Sequence, residues 1–465
     1  MAPVHGVASA PSPRAYWAVR IGFILIPVVH GGGMNLVTLL AFRYLTDNLA
    51  VSAAIAGALF ALVKIYDGIL DPALGALSDR TRSPWGRRLP YLLAGSLAMP
   101  LALVMIFNTP DFASPVAVLA FIVVAMLLHA SAYTALTIPG MAMLVEVTDD
   151  YHERSALMSF RVIGNSIGTL VGSTLPAWLL VRWGATLEGH ARMSWVVAAV
   201  VLVAGLGAVL TLRNVRRTQP DDGGGRARRP GLGAQFRLAW ANRPFRLLAL
   251  AHIFVLVGTA ITSIGNAYFT KYVLLRSDGW LGTYYVLATV GMVGSMAPWL
   301  ALAKRRGKKF CYMLALAGFG LLHLSWLLAA RDEPYALLVT RALLTGIASG
   351  GMILFAYSML SDAIRYDYIQ TGLRREGAFA GLTSLVDKLA AAAGIAGVGL
   401  FLGAMGYAAS SAGAAATQSA SAVLAIYISF AIIPAVCMAI SVLIMLSYRL
   451  DEAALDESSA AKGTA

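Results

Sequence analysis

The chain has 465 residues, of which 58% are hydrophobic and only 13% are charged, and its mean hydropathy is +0.72. A soluble domain carries about 25% charged residues, so this composition excludes a protein whose whole surface faces water and predicts a lipid bilayer as partner. The formal net charge of +13 would suit nucleic acid. However, the basic residues fall in short loops between apolar runs, which is a membrane-topology signal, and we expect no nucleic-acid partner.

Apolar runs long enough to cross a bilayer, about 20 residues each, recur along the whole chain. No removable signal peptide is evident before the first run, and Cys311 and Cys437 lie inside runs, which excludes a disulfide framework. The pattern predicts an all-α polytopic membrane protein with twelve transmembrane helices at 18–45, 52–77, 89–109, 115–146, 156–181, 193–213, 245–274, 280–303, 310–330, 335–361, 376–406 and 421–448.

Arginine and lysine in the loops predict the orientation. They cluster after the second, sixth and eighth segments, at 80–88, 213–243 and 304–309, and they are sparse after the odd-numbered segments. Cytoplasmic loops carry this excess, so both termini are expected in the cytoplasm of a multi-pass cell-membrane protein. The alanine- and arginine-rich composition favours a bacterial inner membrane.

One long hydrophilic stretch divides the chain. It predicts a cytoplasmic linker at 214–244 between two six-helix bundles at 18–213 and 245–448, with cytoplasmic tails at 1–17 and 449–465. Two such bundles around a central substrate site are typical of secondary transporters.

Placing a charged side chain inside a spanning helix costs free energy, so such residues are by default candidates for a functional site. Asp67 and Asp71 are four residues apart in the second segment, so they share one helix face. Two ionised carboxylates this close in a low dielectric must share a proton, bind a metal cation or pair with a basic residue. Pro72 frees a backbone carbonyl that could become a ligand. The structural alternative is that Asp71 caps the helix at the membrane interface.

Lys388 is the second intramembrane charge. Asp387 is adjacent and therefore points elsewhere on the helix. We expect Lys388 to face the carboxylates of the first half and to couple the two halves. The alternative is a lysine whose ammonium reaches the cytoplasmic interface.

A cytoplasmic gate is predicted where arginines of one loop meet carboxylates of another. The predicted gate residues are Asp79, Arg80, Arg87, Arg88, Glu146, Asp150 and Arg154. The mixed charges at 362–376 could form a matching contact, although such loops are usually solvated surface.

Other chemistry is not evident. His30, His129 and His252 lie in apolar runs, where a satisfied core histidine is the commoner case. Because no metal cluster, phosphate loop or nucleophile–base constellation stands out, we expect no cofactor beyond a coupling ion and no enzyme activity.

These motifs resemble those of the glycoside–pentoside–hexuronide:cation symporters, a family of the major facilitator superfamily. The resemblance rests first on Asp67-x-x-x-Asp71-Pro72-x-x-Gly75-x-x-x-Asp79-Arg80-Thr81-Arg82-Ser83-x-x-Gly86-Arg87. Further matches are Tyr44-Leu45-Thr46-Asp47, Tyr133-Thr134, Glu153-Arg154, Asp362-x-x-x-Tyr366-Asp367-Tyr368, Gly372-x-Arg374-x-Glu376 and Lys388. The resemblance covers residues 18–448 and implies the major facilitator fold, with Asp67, Asp71 and Thr134 binding H⁺ or Na⁺ and Lys388 nearby.

Departures from the family pattern affect both sites. Leu70 replaces an asparagine of the family's cation site, which favours H⁺ over Na⁺. Gly31 and Thr137 stand where the sugar permeases hold the glycoside with aspartates, and Met141 and Ala356 replace tryptophans. The remaining predicted pocket residues are His30, Asn35, Tyr133, Thr137, Asn266, Tyr268, Thr383 and Ser384.

The sequence therefore predicts a monomeric cation-coupled symporter of a small solute, a sugar or glycoside, working by alternating access. An alternative with the same fold carries a lysolipid or another amphipathic metabolite, which the missing carboxylates favour. A non-transporting sensor is a third possibility, against which the buried charges argue.

Overall fold

The computed structural model describes residues 13–147, 151–213, 240–329, 333–371, 376–410 and 417–450. Every long element in these ranges is a helix, as the continuous apolar runs require. The α-helices of the first half are α1 (Pro13–Leu36), α2 (Phe42–Asp47), α3 (Ala53–Arg80), α4 (Leu89–Phe107), α5 (Pro115–Val147), α6 (Tyr151–Thr169), α7 (Leu175–Trp183) and α8 (Leu187–Leu212).

The second half repeats this pattern. Its α-helices are α9 (Arg243–Tyr268), α10 (Asp278–Gly294), α11 (Met296–Arg306), α12 (Lys308–Ser325), α13 (Tyr335–Thr371), α14 (Glu376–Ala404), α15 (Ala420–Tyr427) and α16 (Ile433–Leu446). Short π-helical turns join several neighbours into longer helices, at Val37–Ala41, Leu170–Thr174, Phe269–Val273 and Ile428–Ile432.

Membrane spans follow from length and composition. Within the described residues, ten helices are long and apolar enough to cross a membrane, and α10 with α11, bent by 42° at Ser295, makes up to eleven. All of these coincide with predicted segments. The predicted segment 156–181 is helical in α6 and α7 but is not among them. The all-α membrane fold is thus confirmed, while twelve spans stay a prediction.

The helices form two compact units that alternate along the chain. The first comprises Met1–Asn35, Leu70–Gly172 and Ser194–Gly223, and the second comprises Leu36–Ile69, Ser173–Met193 and Gly224–Ala465. The division falls inside α3, between Ile69 and Leu70, although the helix itself is continuous.

Small residues allow close packing in the first unit. A Cβ at Gly168 of α6 would lie 2.7 Å from the Pro27 carbonyl oxygen of α1, and one at Gly164 would overlap the Ile24 carbonyl oxygen. Glycines at this spacing let two backbones approach where lipid supplies no hydrophobic driving force. In the second unit, α9, α11, α12, α13 and α16 enclose an apolar core that includes Trp299, Tyr312, Phe319, Phe355 and Met438.

Candidate cation site and its surroundings

The two intramembrane carboxylates lie on α3, one helical turn apart, near its middle. Asp67 is 2% exposed, whereas Asp71 is half-buried. Pro72 lies inside the same helix and has no backbone N–H. The backbone carbonyl four residues before it therefore lacks its usual helical hydrogen bond.

Asp67 is held by two lysines of the second unit. The Lys388 Nζ is 3.2 Å from Asp67 Oδ2 and also donates to the Asp67 backbone carbonyl at 2.8 Å. The Lys64 Nζ lies 3.8 Å from the same carboxylate oxygen. Gly68 leaves room for the aliphatic part of Lys388, whose Cδ would lie 3.6 Å from a Cβ at that position. Neighbouring ammonium groups compensate for part of the hydration that a carboxylate loses on burial.

Asp71 has a different environment, in the first unit. The Thr134 hydroxyl of α5 donates to Asp71 Oδ1 at 3.0 Å, and Thr134 is fully buried. The structure thus brings together two of the three predicted cation ligands in one unit. A hydroxyl and a carboxylate are oxygen ligands suited to a hard cation, and the carboxylate alone can carry a proton.

A half-buried arginine that is not among the predicted site residues lies near the predicted pocket residues of the first unit. His30 is buried, with 7% of its surface exposed. Its ring packs edge-on against the ring of Tyr133, and the two centroids are 5.6 Å apart. Arg161 of α6 acts electrostatically on both residues. Arg161 Nη1 and His30 Nε2 are buried without a hydrogen-bond partner among the described residues. The presence of a charge inside the predicted fifth segment could have identified Arg161.

The other predicted pocket residues of the first unit bond within their own helices. Asn35 donates to the Gly31 carbonyl at 2.7 Å, and Thr137 donates to the Tyr133 carbonyl at 2.6 Å. Such bonds satisfy the donor but leave acceptor capacity for a ligand.

The predicted pocket residues of the second unit differ in exposure. Asn266 is 3% exposed, and the Tyr268 hydroxyl lies 2.6 Å from Thr46 Oγ1 in the interior. Thr383 donates to the Phe379 carbonyl at 2.9 Å, and Ser384 is half-buried.

The predicted gate loop forms a compact ion cluster in the first unit. Glu146 Oε1 accepts hydrogen bonds from Arg87 Nε at 2.9 Å and Arg88 Nε at 3.0 Å. Arg88 also donates to Ser78 Oγ at 2.6 Å and to Asp79 at 2.5 Å. Arg80 is exposed, Asp150 lies outside the described residues, and nothing is described of the Arg154 side chain.

The second unit contains a buried polar network that sequence reasoning did not identify as a site. Asp47, 1% exposed, accepts from Lys271 at 2.5 Å, Tyr272 at 3.0 Å and Tyr407 at 2.6 Å. Burial, followed by the neighbouring Tyr268 phenol and the Asp47 carboxylate, raises the pKa of Tyr407 well above its usual range, so its hydroxyl remains a donor.

A second buried ion pair lies in the same region. Arg43 Nη1 is 2.6 Å from Asp278 Oδ1, and the two side chains are only 3% and 12% exposed. The motif Tyr44-Leu45-Thr46-Asp47 indicates from the sequence that this end of the first span is unusual. The residues that pair with Arg43 and Asp47 are more than 200 positions away in the sequence.

The described residues contain no group of three or more His, Cys, Asp or Glu that could hold a metal ion. A multi-span helical fold with ion-paired carboxylates in its spans is typical of membrane transporters.

Comparison with known proteins gives the family. The model of the MFS/sugar transport protein family matches residues 22–452. The chain belongs to this family of the major facilitator superfamily, and it is a multi-pass membrane transporter.

Several curated relatives span most of both chains. They include an uncharacterized symporter of Bacillus subtilis (27% identical, covering 89% of this chain and 88% of the relative) and the isoprimeverose transporter of Lactiplantibacillus pentosus (26%, 94% and 89%). A putative glycoside/cation symporter of Escherichia coli is 27% identical over 90% of this chain and 89% of its own.

Solved structures agree on the fold. A bacterial homologue of the lysosomal transporter Spinster aligns with a TM-score of 0.64 at 14% identity over 97% of this chain and 98% of the other. The nucleoside transporter NupG aligns with a TM-score of 0.63 at 14% identity over 94% of this chain and all of the other. At this identity the likeness concerns the fold alone.

Proposed function

We propose that the protein is a secondary active transporter that couples the entry of a sugar or glycoside to the movement of H⁺ or Na⁺. The cation binds on α3 at Asp67 and Asp71, with Thr134 as a further ligand. The observation that carries this proposal is the buried ion pair of Asp67 and Lys388, because it gives the carboxylate an occupant that a cation can replace.

Coupling follows from competition for Asp67. While Lys388 neutralises the carboxylate, the site is closed to a second positive charge. A proton or sodium ion at Asp67 and Asp71 releases the ammonium, which then becomes available as a hydrogen-bond donor to solute hydroxyls. Asp67 is neutralised either by Lys388 or by the cation, but not by both. Because the bound cation frees Lys388 to contact the solute, cation binding and solute binding favour each other.

The names of the relatives support a sugar as solute. Three of them are named as a putative glycoside/cation symporter, an isoprimeverose transporter and a lactose permease. These names favour a sugar over the lysolipid or amphipathic alternative. Within the first unit, His30, Tyr133 and Arg161 would donate to sugar hydroxyls, with Asn35 and Thr137 as further polar contacts. The pocket residues predicted in the second unit remain Asn266, Tyr268, Thr383 and Ser384.

The broader proposal follows the predicted topology. Two six-helix bundles at 18–213 and 245–448, joined by a cytoplasmic linker, would alternate access to the site while the cluster of Arg87, Arg88 and Glu146 opens and closes. The protein would act as a monomer in a bacterial inner membrane with both termini in the cytoplasm. It would move its solute unchanged, without catalysis, and bind no nucleic acid.

Purified protein in proteoliposomes tests this function. Isoprimeverose, lactose and a methyl glucuronide are added separately, and external pH and Na⁺ are recorded, with protein-free liposomes as control. We expect one sugar to cause external alkalinisation or loss of external Na⁺. Ion movement only with a lysolipid, or with none of these solutes, would contradict the proposal.

A further inference from the structure

A second titratable pair lies within the spans of the second unit. His252 Nε2 of α9 is 3.2 Å from Asp387 Oδ1 of α14, and the two side chains are 17% and 33% exposed. Both residues lie well inside spanning helices, where ionisable groups are expensive and point to function. Asp387 precedes Lys388 directly, and helix geometry turns the two side chains to different neighbours.

A cavity adjoins this pair. It measures about 20 Å³ and is lined by His252, Thr383 and Tyr357 together with six apolar residues. A space of this size holds about one water molecule. The second ring nitrogen, His252 Nδ1, is buried and has no hydrogen-bond partner among the described residues. The imidazole thus contacts a carboxylate through one nitrogen and has an unused nitrogen for a proton.

The surrounding charges leave His252 as the group best suited to exchange that proton. Tyr357 of α13 acts electrostatically on Asp387, and Lys388 of α14 is engaged by Asp67. On α16, Ser441 donates to the Ala251 carbonyl, and the Cys437 thiol is buried near Gly258, further along α9. Of these groups only an imidazole ordinarily changes charge between pH 5 and 8.

We propose that His252 and Asp387 form a proton-binding site in the second half of the transporter, one residue from the lysine that neutralises Asp67. His252 Nδ1 takes up a proton from solution and the ring becomes an imidazolium, whose positive charge is balanced by the Asp387 carboxylate 3.2 Å from Nε2. Without the proton, His252 is neutral, and its ring carries no positive charge to balance the Asp387 carboxylate next to Lys388 in the sequence.

The state of this site then biases the ion pair of Asp67. When His252 is neutral, Asp387 attracts the Lys388 ammonium and weakens its hold on Asp67. When His252 is charged, Asp387 is satisfied and Lys388 stays with Asp67. Proton binding here and cation binding at Asp67 are therefore opposed, and the coupling must act equally in both directions. The link to transport rests on the proposed function, whereas proton binding at His252 does not.

Histidine titration by NMR tests the site without any solute. Full-length protein labelled with ¹⁵N-histidine is titrated from pH 5 to 9 in detergent micelles, and the His252 signal is assigned by its loss in His252→Gln. We expect Asp387→Asn to change the pH dependence of the His252 signal by more than the error, since the substitution removes the carboxylate 3.2 Å from Nε2. Asp67→Asn should move it by a smaller amount that exceeds the error.

A matched carboxylate provides the control. Asp362 lies in the same unit and pairs with Lys308 instead, so Asp362→Asn should leave the His252 titration unchanged. Asp387→Glu keeps the charge and should restore a titration close to that of the original protein. An Asp387→Asn titration that coincides with the original would overturn the proton site. An effect of Asp387 without any effect of Asp67 would overturn the coupling. Neither result depends on whether a sugar is transported.

Discussion

At the scale of single residues, charges inside the spans are paired across long stretches of sequence. Asp67 meets Lys388, Asp47 meets Lys271, and Arg43 meets Asp278. Removing one member of such a pair leaves the other buried and uncompensated, which destabilises far more than the pair itself stabilises. The same property makes Asp67 sensitive to any cation that replaces its lysine.

We predict that Arg43→Met destabilises the protein by about 3–5 kcal/mol, because it leaves Asp278 buried and unpaired. The measurement is thermal or denaturant unfolding of the purified protein in detergent. Arg192→Met is the matched control, since its pair with Glu188 is more than half exposed, and such pairs contribute about 0–1 kcal/mol. Equal effects of the two substitutions would show that the Arg43 pair is not the structural element described here.

The sequence indicated which residues were unusual but not all of their partners. Asp67, Asp71 and Lys388 stood out because ionisable groups are rare in apolar runs, and the Arg87 and Glu146 loops were paired from their predicted location. The partners of Asp47 and Asp387 could not be predicted, because contact between α9 and distant helices depends on tertiary packing. Arg161 was visible in the sequence and was overlooked.

At the scale of helices, close approach depends on glycine. The stripe Gly164, Gly168 and Gly172 faces backbone atoms of α1, where a methyl group at either outer position would overlap a carbonyl oxygen. Overpacking of this kind commonly destabilises by about 1–3 kcal/mol, and rigid backbone on the opposite side leaves little room for relief.

Gly164→Ala is therefore expected to lower the thermal stability of the protein and its yield from membranes. Gly397→Ala in α14 is the control, because an added methyl group there meets no atom within 4 Å and gains helix propensity. Fluorescence-detected size-exclusion chromatography after a heat step measures both. A Gly164→Ala variant as stable as Gly397→Ala would contradict the packing of α1 against α6.

The resistance of the loop between α3 and α4 to proteolysis should depend on Glu146. Glu146→Gln removes the charge shared by Arg87 and Arg88, so we expect trypsin to cut after these arginines several-fold faster. Glu188→Gln, in an exposed pair, should leave the cleavage rate unchanged. Limited proteolysis followed by mass spectrometry gives both rates, and unchanged protection in Glu146→Gln would argue against this contact.

Helix positions were largely predictable because hydropathy alone sets them. Eleven of the predicted segments coincide with helices long and apolar enough to span, counting the bent pair α10 and α11 once. The remaining segment carries Arg161 and other polar residues in α6, which lowers its hydropathy. The π-helical turns at Val37–Ala41 and Phe269–Val273 were not predicted, since they arise from local backbone geometry.

At the scale of the whole molecule, energy coupling in the proposed mechanism depends on α3. This helix, Ala53–Arg80, carries both carboxylates one turn apart. In the proposed mechanism, a transporter that lost these carboxylates would lose its connection to the cation gradient, and the loss of Asp67 would also remove the carboxylate that pairs with Lys388.

The most direct measurement compares uphill accumulation with exchange for Asp67→Asn and Asp71→Asn in proteoliposomes, using the sugar that moves a cation in the original protein. Asp362→Asn, which alters a carboxylate outside the site, is the control. We predict that both site variants lose accumulation against a gradient yet still exchange labelled sugar across the membrane. Uphill accumulation that persists in Asp67→Asn and Asp71→Asn would contradict the central claim that α3 binds the coupling cation.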